Sequence, residues 1–377
     1  MSLRRIFAIF RKEVIQISRD VRSLLIIFAI PLILLFIYGY GVNLDVKHVP
    51  LCVYDRDGSQ QSQDLLKGFQ STEYFNIVHL ARDYPDVVRH IDSGSCSVAV
   101  VIPPRFAEDL RNAGSTTVQA ILDASDSNSA SIGLGYAQSI VAAYSSRVQV
   151  DWAAAHGAQP PALPLDVRAR TWFNEDLESM ANIVPGVVAL VMAVVGAFLT
   201  SLTIAREWER GTMEQLISTP VGALEIQIGK LIPYFVIGMA DTALCAGASV
   251  GWFQVPFRGS WLVMFGSSAL FLTVVLSLGY FISVVTKSQL AASQMALLAT
   301  FLPTFLLSGF IFPIDQMPVV VQVITRVLPA RYFVEILRSV FLKGTPVAMI
   351  ASQLTALGII AFVLVALATR AFHKRLE

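Results

Sequence analysis

The sequence predicts an α-helical polytopic membrane protein, with six transmembrane helices and an α/β domain inserted on the extracytoplasmic side between the first two. Three observations carry that prediction. The 377 residues are 55% hydrophobic and only 15% charged, with a mean hydropathy of +0.62, a balance typical of membrane proteins. Six apolar stretches, at 24–41, 183–204, 229–253, 261–285, 289–312 and 347–369, are long enough to cross a bilayer once as helices. The charge is also unevenly spread: residues 43–180 hold 17 acidic and 10 basic side chains, a net of −7, which leaves +8 on the rest.

That asymmetry sets the orientation, because Lys and Arg beside spans are retained in the cytoplasm. Arg4, Arg5, Arg11, Lys12, Arg19 and Arg22 precede the first span, and Arg370, Lys374 and Arg375 follow the last. Both termini are therefore expected inside and 43–182 outside. Arg326, Arg331, Arg338 and Lys343 run against this scheme, since it places their loop outside; helix parity and both termini favour it.

Residues 1–23 place Leu3, Ile6, Phe7, Ile9, Phe10, Val14, Ile17 and Val21 at near-helical spacing. This reads as a cytoplasmic interfacial helix on the inner leaflet, the plainer alternative being an extension of the first span. Residues 24–42 form that span, a signal anchor: acids precede it and no small-x-small cleavage site follows. From 43 to 182 the pattern alternates, with strands expected at 49–54, 76–80, 97–102, 117–123 and 167–173 and helices at 60–69, 84–93, 104–113 and 129–155. Alternation of this kind implies an α/β domain on a parallel or mixed sheet, with QPPALP at 159–164 as a turn-rich connector.

The inserted domain shows no catalytic constellation. His48, His79, His90 and His156 are scattered without metal-ligand spacing, so no metal site is predicted. No nucleophile-elbow pattern is present. Asp123, Asp126 and Asn128 superficially resemble a calcium loop but lack its Gly and terminal Glu, and read as a capped turn. Cys52 and Cys96 sit in strand-like runs and could pair in an oxidising compartment; two small buried residues is the simpler description.

The second span opens on Asn182 and Pro185 and ends at 204. Residues 205–228 then form an inner loop whose core, REWERGTMEQLISTP at 206–220, is dense in charge. Gly211 divides it into two helical pieces, with Thr212 as the cap of the second and Glu214 at its positive end. The third span, 229–253, carries Asp241 near its middle. A carboxylate at that depth costs about 2.5–3.5 kcal/mol on insertion scales. It marks either a polar or proton-sensitive point on a transport route or an interhelical hydrogen bond. The span at 261–285 is followed by a short inner turn at Lys287, and the span at 289–312 contains Pro303. Residues 313–346 are Pro-punctuated and amphipathic, suggesting helices that lie at or dip into the outer interface. The last span, 347–369, leads to a basic cytoplasmic tail at 370–377.

No phosphate-binding loop is present. Gly229-Lys230 is the nearest fragment, but Leu224 and Leu231 occupy the positions that need Gly and Ser or Thr. The chain is therefore expected not to hydrolyse ATP, to be no enzyme, and to bind neither cofactor nor metal nor nucleic acid.

Two motifs carry a family resemblance that extends over essentially the whole length: REWERGTMEQLISTP, and the longer LLSGFIFPIDQMPVVVQVITRVLPARYFVEILRSVFLKG, with VPG at 184–186 in support. The chain resembles the permease subunits of ABC-2 type exporters, in the bacterial drug-exporter-like branch with a large periplasmic domain between the first two spans. The resemblance implies multidrug efflux across the inner membrane, driven by a separate ATP-binding subunit that holds ATP and Mg. It also implies a dimer of permeases, identical or paralogous, with a periplasmic adaptor and outer-membrane channel as further partners. Arg206, Glu207, Trp208, Glu209, Arg210, Gly211, Thr212, Met213, Glu214, Gln215 and Leu216 would form the coupling helix. Its charges would make rim contacts to the ATPase, and Met213, Leu216 and Ile217 would supply the apolar anchor. Trp208 stands where a second charge is expected. Asn182, Pro185, Asp241 and Pro303 would line the transport path, and Ser308, Gly309, Phe312, Pro313, Pro318, Pro329, Arg331 and Tyr332 would form the outer gate. Two further readings stay open on the residues alone: a proton-coupled antiporter using Asp241, and a membrane-anchored receptor.

Overall fold

The computed structural model describes residues 2–41, 47–112, 116–155 and 179–372. They divide into a helical unit, Met1–Asn43 with Thr171–Glu377, and a second unit, Leu44–Arg170. The expected strand at 167–173, the connector at 159–164 and tail residues 373–377 lie outside the described residues.

The chain opens with α1 (Leu3–Arg19), a separate helix that ends at Asp20, and α2 (Val21–Gly41), which contains Pro31. The second unit follows with β1 (Val49–Asp55), α3 (Gln60–Gln70), β2 (Phe75–Leu80), α4 (Tyr84–Asp92), β3 (Val98–Ile102), α5 (Phe106–Arg111), β4 (Gln119–Leu122) and α6 (Ser127–Ala155). Local chemistry sets several of these boundaries. Ser59 accepts a hydrogen bond from the Ser62 amide to start α3, and Asp83 accepts from the Asp86 amide to start α4, each covering a donor that the helix itself leaves unpaired.

The sheet order is β2-β1-β3-β4, parallel except for the antiparallel β3–β4 pair. One face packs Val49, Leu51, Val53, Phe75, Val98 and Val100 against α3 and α6 through Leu65, Phe69 and Ala137. The other holds Cys52, Cys96 and Ala99 with Val87 of α4. Cys52 and Cys96 are joined as a disulfide with Cα atoms 5.8 Å apart. They are therefore both buried and paired, which corrects the preference for two unpaired thiols. Asp123 accepts from the Ser125 amide and Asp126 from the Ser129 hydroxyl, the bonding of a capped turn.

The helical unit resumes with α7 (Ser179–Glu209), α8 (Met213–Ser218), α9 (Ala223–Gly251), α10 (Trp261–Thr286), α11 (Gln289–Leu307), α12 (Val319–Thr325), α13 (Pro329–Arg338) and α14 (Ala351–Ala371). Short 3-10 turns lie at Ile314–Gln316 and Val347–Met349, and a π turn at Ser339–Lys343. Among the described residues, α7, α9, α10, α11 and α14 are long and apolar enough to cross a membrane. The predicted first span falls in α2, whose described apolar stretch, Ile27–Gly41, is shorter than a span.

Helix α7 is the hub. Its core-facing run Ile183–Ala193 is buried, and it packs on α2, α9, α10, α11 and α13. Small residues make this possible, as in membrane helix packing generally. A Cβ on Gly279 of α10 would lie 2.4 Å from the Ala197 carbonyl oxygen, and one on Gly186 of α7 would lie 2.1 Å from the Phe310 ring.

Three predicted boundaries move. Helix α7 runs on through the charged turn to Glu209 instead of stopping at 204, because Arg206, Glu207 and Glu209 are good helix formers. Helix α9 starts at Ala223, not 229, where Glu225 accepts from the Gly222 amide at 2.9 Å. Helix α11 ends at Leu307, not 312, because Gly309 adopts φ +83°, a conformation that terminates a right-handed helix and suits glycine.

Candidate functional site: a wired charged turn

The site is built from the first turns upward. Helix α1 has two apolar stripes. Ile6, Ile9 and Ile17 are buried, while Leu3, Phe7 and Val14 are exposed. The buried stripe rests on α9, where Gly229 leaves the room: a Cβ there would come within 2.8 Å of Ile9 and 3.1 Å of the Ile6 carbonyl oxygen. Gly229-Lys230, the fragment that failed as a phosphate loop, is thus a helix-crossing point.

Glu13 lies in phase with the buried stripe of α1 and is only 1% exposed. A carboxylate there must be paired, because an unpaired buried charge costs several kcal/mol. Lys230, also 1% exposed, donates to Glu13 and, at 3.0 Å, to Glu207 on α7. Lys12 reaches Glu207 at 2.5 Å, and the Thr212 hydroxyl donates to the other Glu207 oxygen. Two cations thus face two carboxylates, and α1, α7 and α9 meet at one neutral cluster. Beside it, Arg5 donates to the Pro220 carbonyl, and the Ser2 amide donates to Glu225 at 2.6 Å.

The remaining turn splits into an inner and an outer face. Glu209 accepts from the Gln289 amide at 2.7 Å, capping α11. Trp208 lies under the Lys287 ammonium, 4.8 Å from ring centre to nitrogen, a cation–π contact worth about 0.5–1 kcal/mol or more. Gly211 turns the chain with φ +67°. Met213 of α8 is buried with Ile9, Ile204, Ile226, Tyr280 and Phe372. Arg210, Glu214 and Gln215 point outward and are exposed, while Leu216 and Ile217 are half-buried.

Several roles assigned from the sequence therefore change. Glu207 is occupied inside the chain and is no rim contact. Met213 anchors the chain to itself and is not presented to a partner. Thr212 does not cap α8 through its side chain; its hydroxyl is spent on Glu207. Glu13, Lys12 and Lys230 were missed. Lys230 could have been noticed as the one lysine inside the apolar run that starts at 229, and Glu13 as an acid on the buried phase of an amphipathic helix.

The second motif is a sequence of helix stops and starts. The Ser308 hydroxyl donates to the Thr304 carbonyl and accepts from the Phe310 amide at 3.2 Å. Pro313 and Pro318 precede the 3-10 turn and α12, and Pro329 opens α13. Arg331 donates to the Thr325 hydroxyl at 2.6 Å, the Tyr332 hydroxyl to the Arg326 carbonyl at 2.7 Å, and Arg338 to the Phe310 carbonyl at 2.9 Å. Two of the four cations that opposed the orientation scheme are therefore engaged within the chain, Arg331 at the end of α12 and Arg338 at the bend after α11. Phe312 is exposed, and Phe310, not singled out from the sequence, is the buried residue, seated against Gly186.

The four transport-path candidates fall on three helices. Asn182 is exposed and Pro185 buried on α7, Asp241 is buried on α9, and Pro303 is half-buried on α11. Asp241 accepts from the Cys245 thiol at 3.9 Å, one turn along the same helix, an intrahelical contact and not the interhelical bond that was one of its two alternatives.

Five described helices, the hub α7 among them, are long and apolar enough to cross a membrane, the architecture of a multi-pass membrane protein. The chain matches the family described as "ABC-2 family transporter protein" over residues 22–370 and belongs to that family. It is 41% identical to the "Probable multidrug ABC transporter permease YbhS" of Escherichia coli (strain K12), over 94% of this chain and 93% of that protein. The "Probable multidrug ABC transporter permease YbhR" of the same strain is 27% identical, over 94% and 95% of the two chains. The "Linearmycin resistance permease protein LnrN" of Bacillus subtilis (strain 168) is 22% identical, over 92% and 93%.

Proposed function

We propose that this chain is the membrane-spanning subunit of an ATP-driven exporter of drug-like or amphiphilic compounds in the bacterial inner membrane. The observation that carries the reading is the charged turn, whose inner face is wired to three helices while its outer face is exposed. A partner that pushes on Arg210, Glu214 and Gln215 would move a rigid junction, because Glu207 ties the turn to α1 and α9. The partner is an ATP-binding subunit that supplies ATP and Mg chemistry; the chain itself is non-catalytic. The family membership and the names of the relatives support this, and the full scheme adds α2 as a sixth span, both termini in the cytoplasm and the α/β unit outside. Two such permeases pair, identical or paralogous, and a periplasmic adaptor with an outer-membrane channel completes the route.

The test is co-purification of the tagged chain with its ATP-binding subunit. Arg210→Glu with Glu214→Arg should abolish capture and export while leaving the thermal midpoint of the permease unchanged. Normal export with the reversed charges would reject the docking role. A second reading, proton-coupled exchange, rests on Asp241, whose described hydrogen bond is to a thiol alone. It requires nucleotide-free vesicles to show pH-driven exchange that Asp241→Asn abolishes.

A further inference from the structure

The register of the first two strands sets which face of the sheet the end of β2 presents to α4. Leu51 pairs with Ile77, but the next residue, Cys52, pairs with His79. Val78 is the extra residue. Strict alternation would put His79 on the same face as Phe75 and Ile77. The slip instead aligns it with Cys52, on the face covered by α4. Bulges of this kind re-aim a side chain and are enriched beside functional sites.

Helix α4 meets His79 with Asp86 and His90, four residues apart and so on one helical face. His79 Nε2 lies 3.0 Å from Asp86 Oδ2, and His90 Nδ1 lies 3.5 Å from Asp86 Oδ1. The two imidazole rings stack at 3.9 Å with 12° between their planes. One ligand atom of each residue lies within 4.8 Å of the other two. We propose that His79, Asp86 and His90 bind one divalent transition-metal ion, zinc in preference, on the α4 face of the α/β unit.

Two imidazoles and one carboxylate are the donors of a borderline cation such as zinc, and not of calcium or magnesium, which take oxygen. Donor atoms around a tetrahedral zinc are about 3.3 Å apart, so small side-chain rotations close the set. The surroundings hold the carboxylate: the Arg82 amide donates to Asp86 Oδ2 at 3.2 Å. Contacts of that kind orient metal ligands. Beneath them Val87 packs with the Cys52–Cys96 disulfide, which fixes β1 against the segment entering β3. Arg89, 3.2 Å from Asp86 Oδ1, is the cation an ion would displace, and its side chain is 73% exposed and able to leave. Asp86 is buried while His79 and His90 are partly exposed, with side chains 34% and 30% accessible, so water can reach the remaining coordination positions from the histidine side.

The test uses the full-length chain in lipid nanodiscs, carrying a tag without histidines and stripped with EDTA. Co²⁺ and Zn²⁺ are the probes, followed by metal analysis after gel filtration and by the visible absorption bands of Co²⁺. One equivalent per chain is expected, with bands of a site containing nitrogen ligands. His79→Gln or His90→Gln should each weaken binding by at least the roughly 10–100-fold that loss of an outer-shell partner costs, the double variant should abolish it, and His48→Gln should leave it intact. A wild-type chain that retains no stoichiometric metal overturns the proposal without any variant. So does one equivalent that survives in the double variant with its disulfide and thermal midpoint preserved.

Discussion

Lys230→Met tests the wiring of the charged turn most directly. Lys230 is the cation that pairs with Glu13, and both are 1% exposed. Glu207 has other support, from Lys12 at 2.5 Å and from the Thr212 hydroxyl. Removing the lysine therefore strands Glu13 and spares Glu207. Breaking a buried ion pair by deleting one partner costs about 3–5 kcal/mol, whereas replacing the pair with neutral groups of similar volume is close to neutral. The expected loss for Lys230→Met is accordingly about 3–5 kcal/mol, most of it at Glu13. Adding Glu13→Gln should restore more than half of that loss, and adding Glu207→Gln should restore little, because Glu13 would still be stranded. The assay is thermal unfolding of the purified chain in nanodiscs, with hydrogen exchange of the α1 amides as the local readout. Equal rescue by Glu13→Gln and Glu207→Gln would refute the assignment, as would a Lys230→Met cost below about 1 kcal/mol.

Other consequences can be measured in the same preparations. Gly279→Val should cost about 1–3 kcal/mol or more through overpacking, since even a Cβ meets the Ala197 carbonyl oxygen at 2.4 Å; an unchanged thermal midpoint would contradict that close approach. Glu209→Ala should loosen the first turn of α11 by removing the acceptor of the Gln289 amide, seen as faster exchange of the first amides of that helix. Cys52→Ser with Cys96→Ser should destabilise the α/β unit by about 4 kcal/mol in the loop-entropy picture for a separation of 44 residues, read as earlier proteolysis within 47–155. The hydrogen bond from Lys67 holds the Asp64 carboxyl below its usual range. Its stabilisation is therefore present above roughly pH 4 and lost as pH falls through the folded value, and Asp64→Asn should remove that part of the acid dependence of unfolding.

How much was legible in the sequence depended on the range of the interactions involved. The strands and helices of the inserted unit could be read because hydrophobic period, Ser59 and Asp83 caps and Pro or Gly stops all act within a few residues. The apolar stretches were equally legible, since crossing length and composition are local properties. The division of the turn at Gly211 followed from its neighbours alone. The faces of that turn did not. Whether Glu207 looks outward or toward Lys230 depends on how α7 and α9 are rotated against each other, and α1 reaches both only because Gly229 lets it cross. The pairing of Cys52 with Cys96 and the meeting of His79 with His90 likewise depend on strand order and on a one-residue slip between β1 and β2.

By itself, then, the sequence determined an apolar helical chain with an α/β insert, a charged turn between two apolar helices and no phosphate loop, because each of these follows from composition, periodicity or a contiguous motif. The tertiary structure alone decided which charges are buried and paired, which face of the turn is exposed, and which histidines face one carboxylate. Those outcomes are set by close approaches between helices and by sheet register, where a single missing Cβ or one extra strand residue turns a side chain from solvent to core.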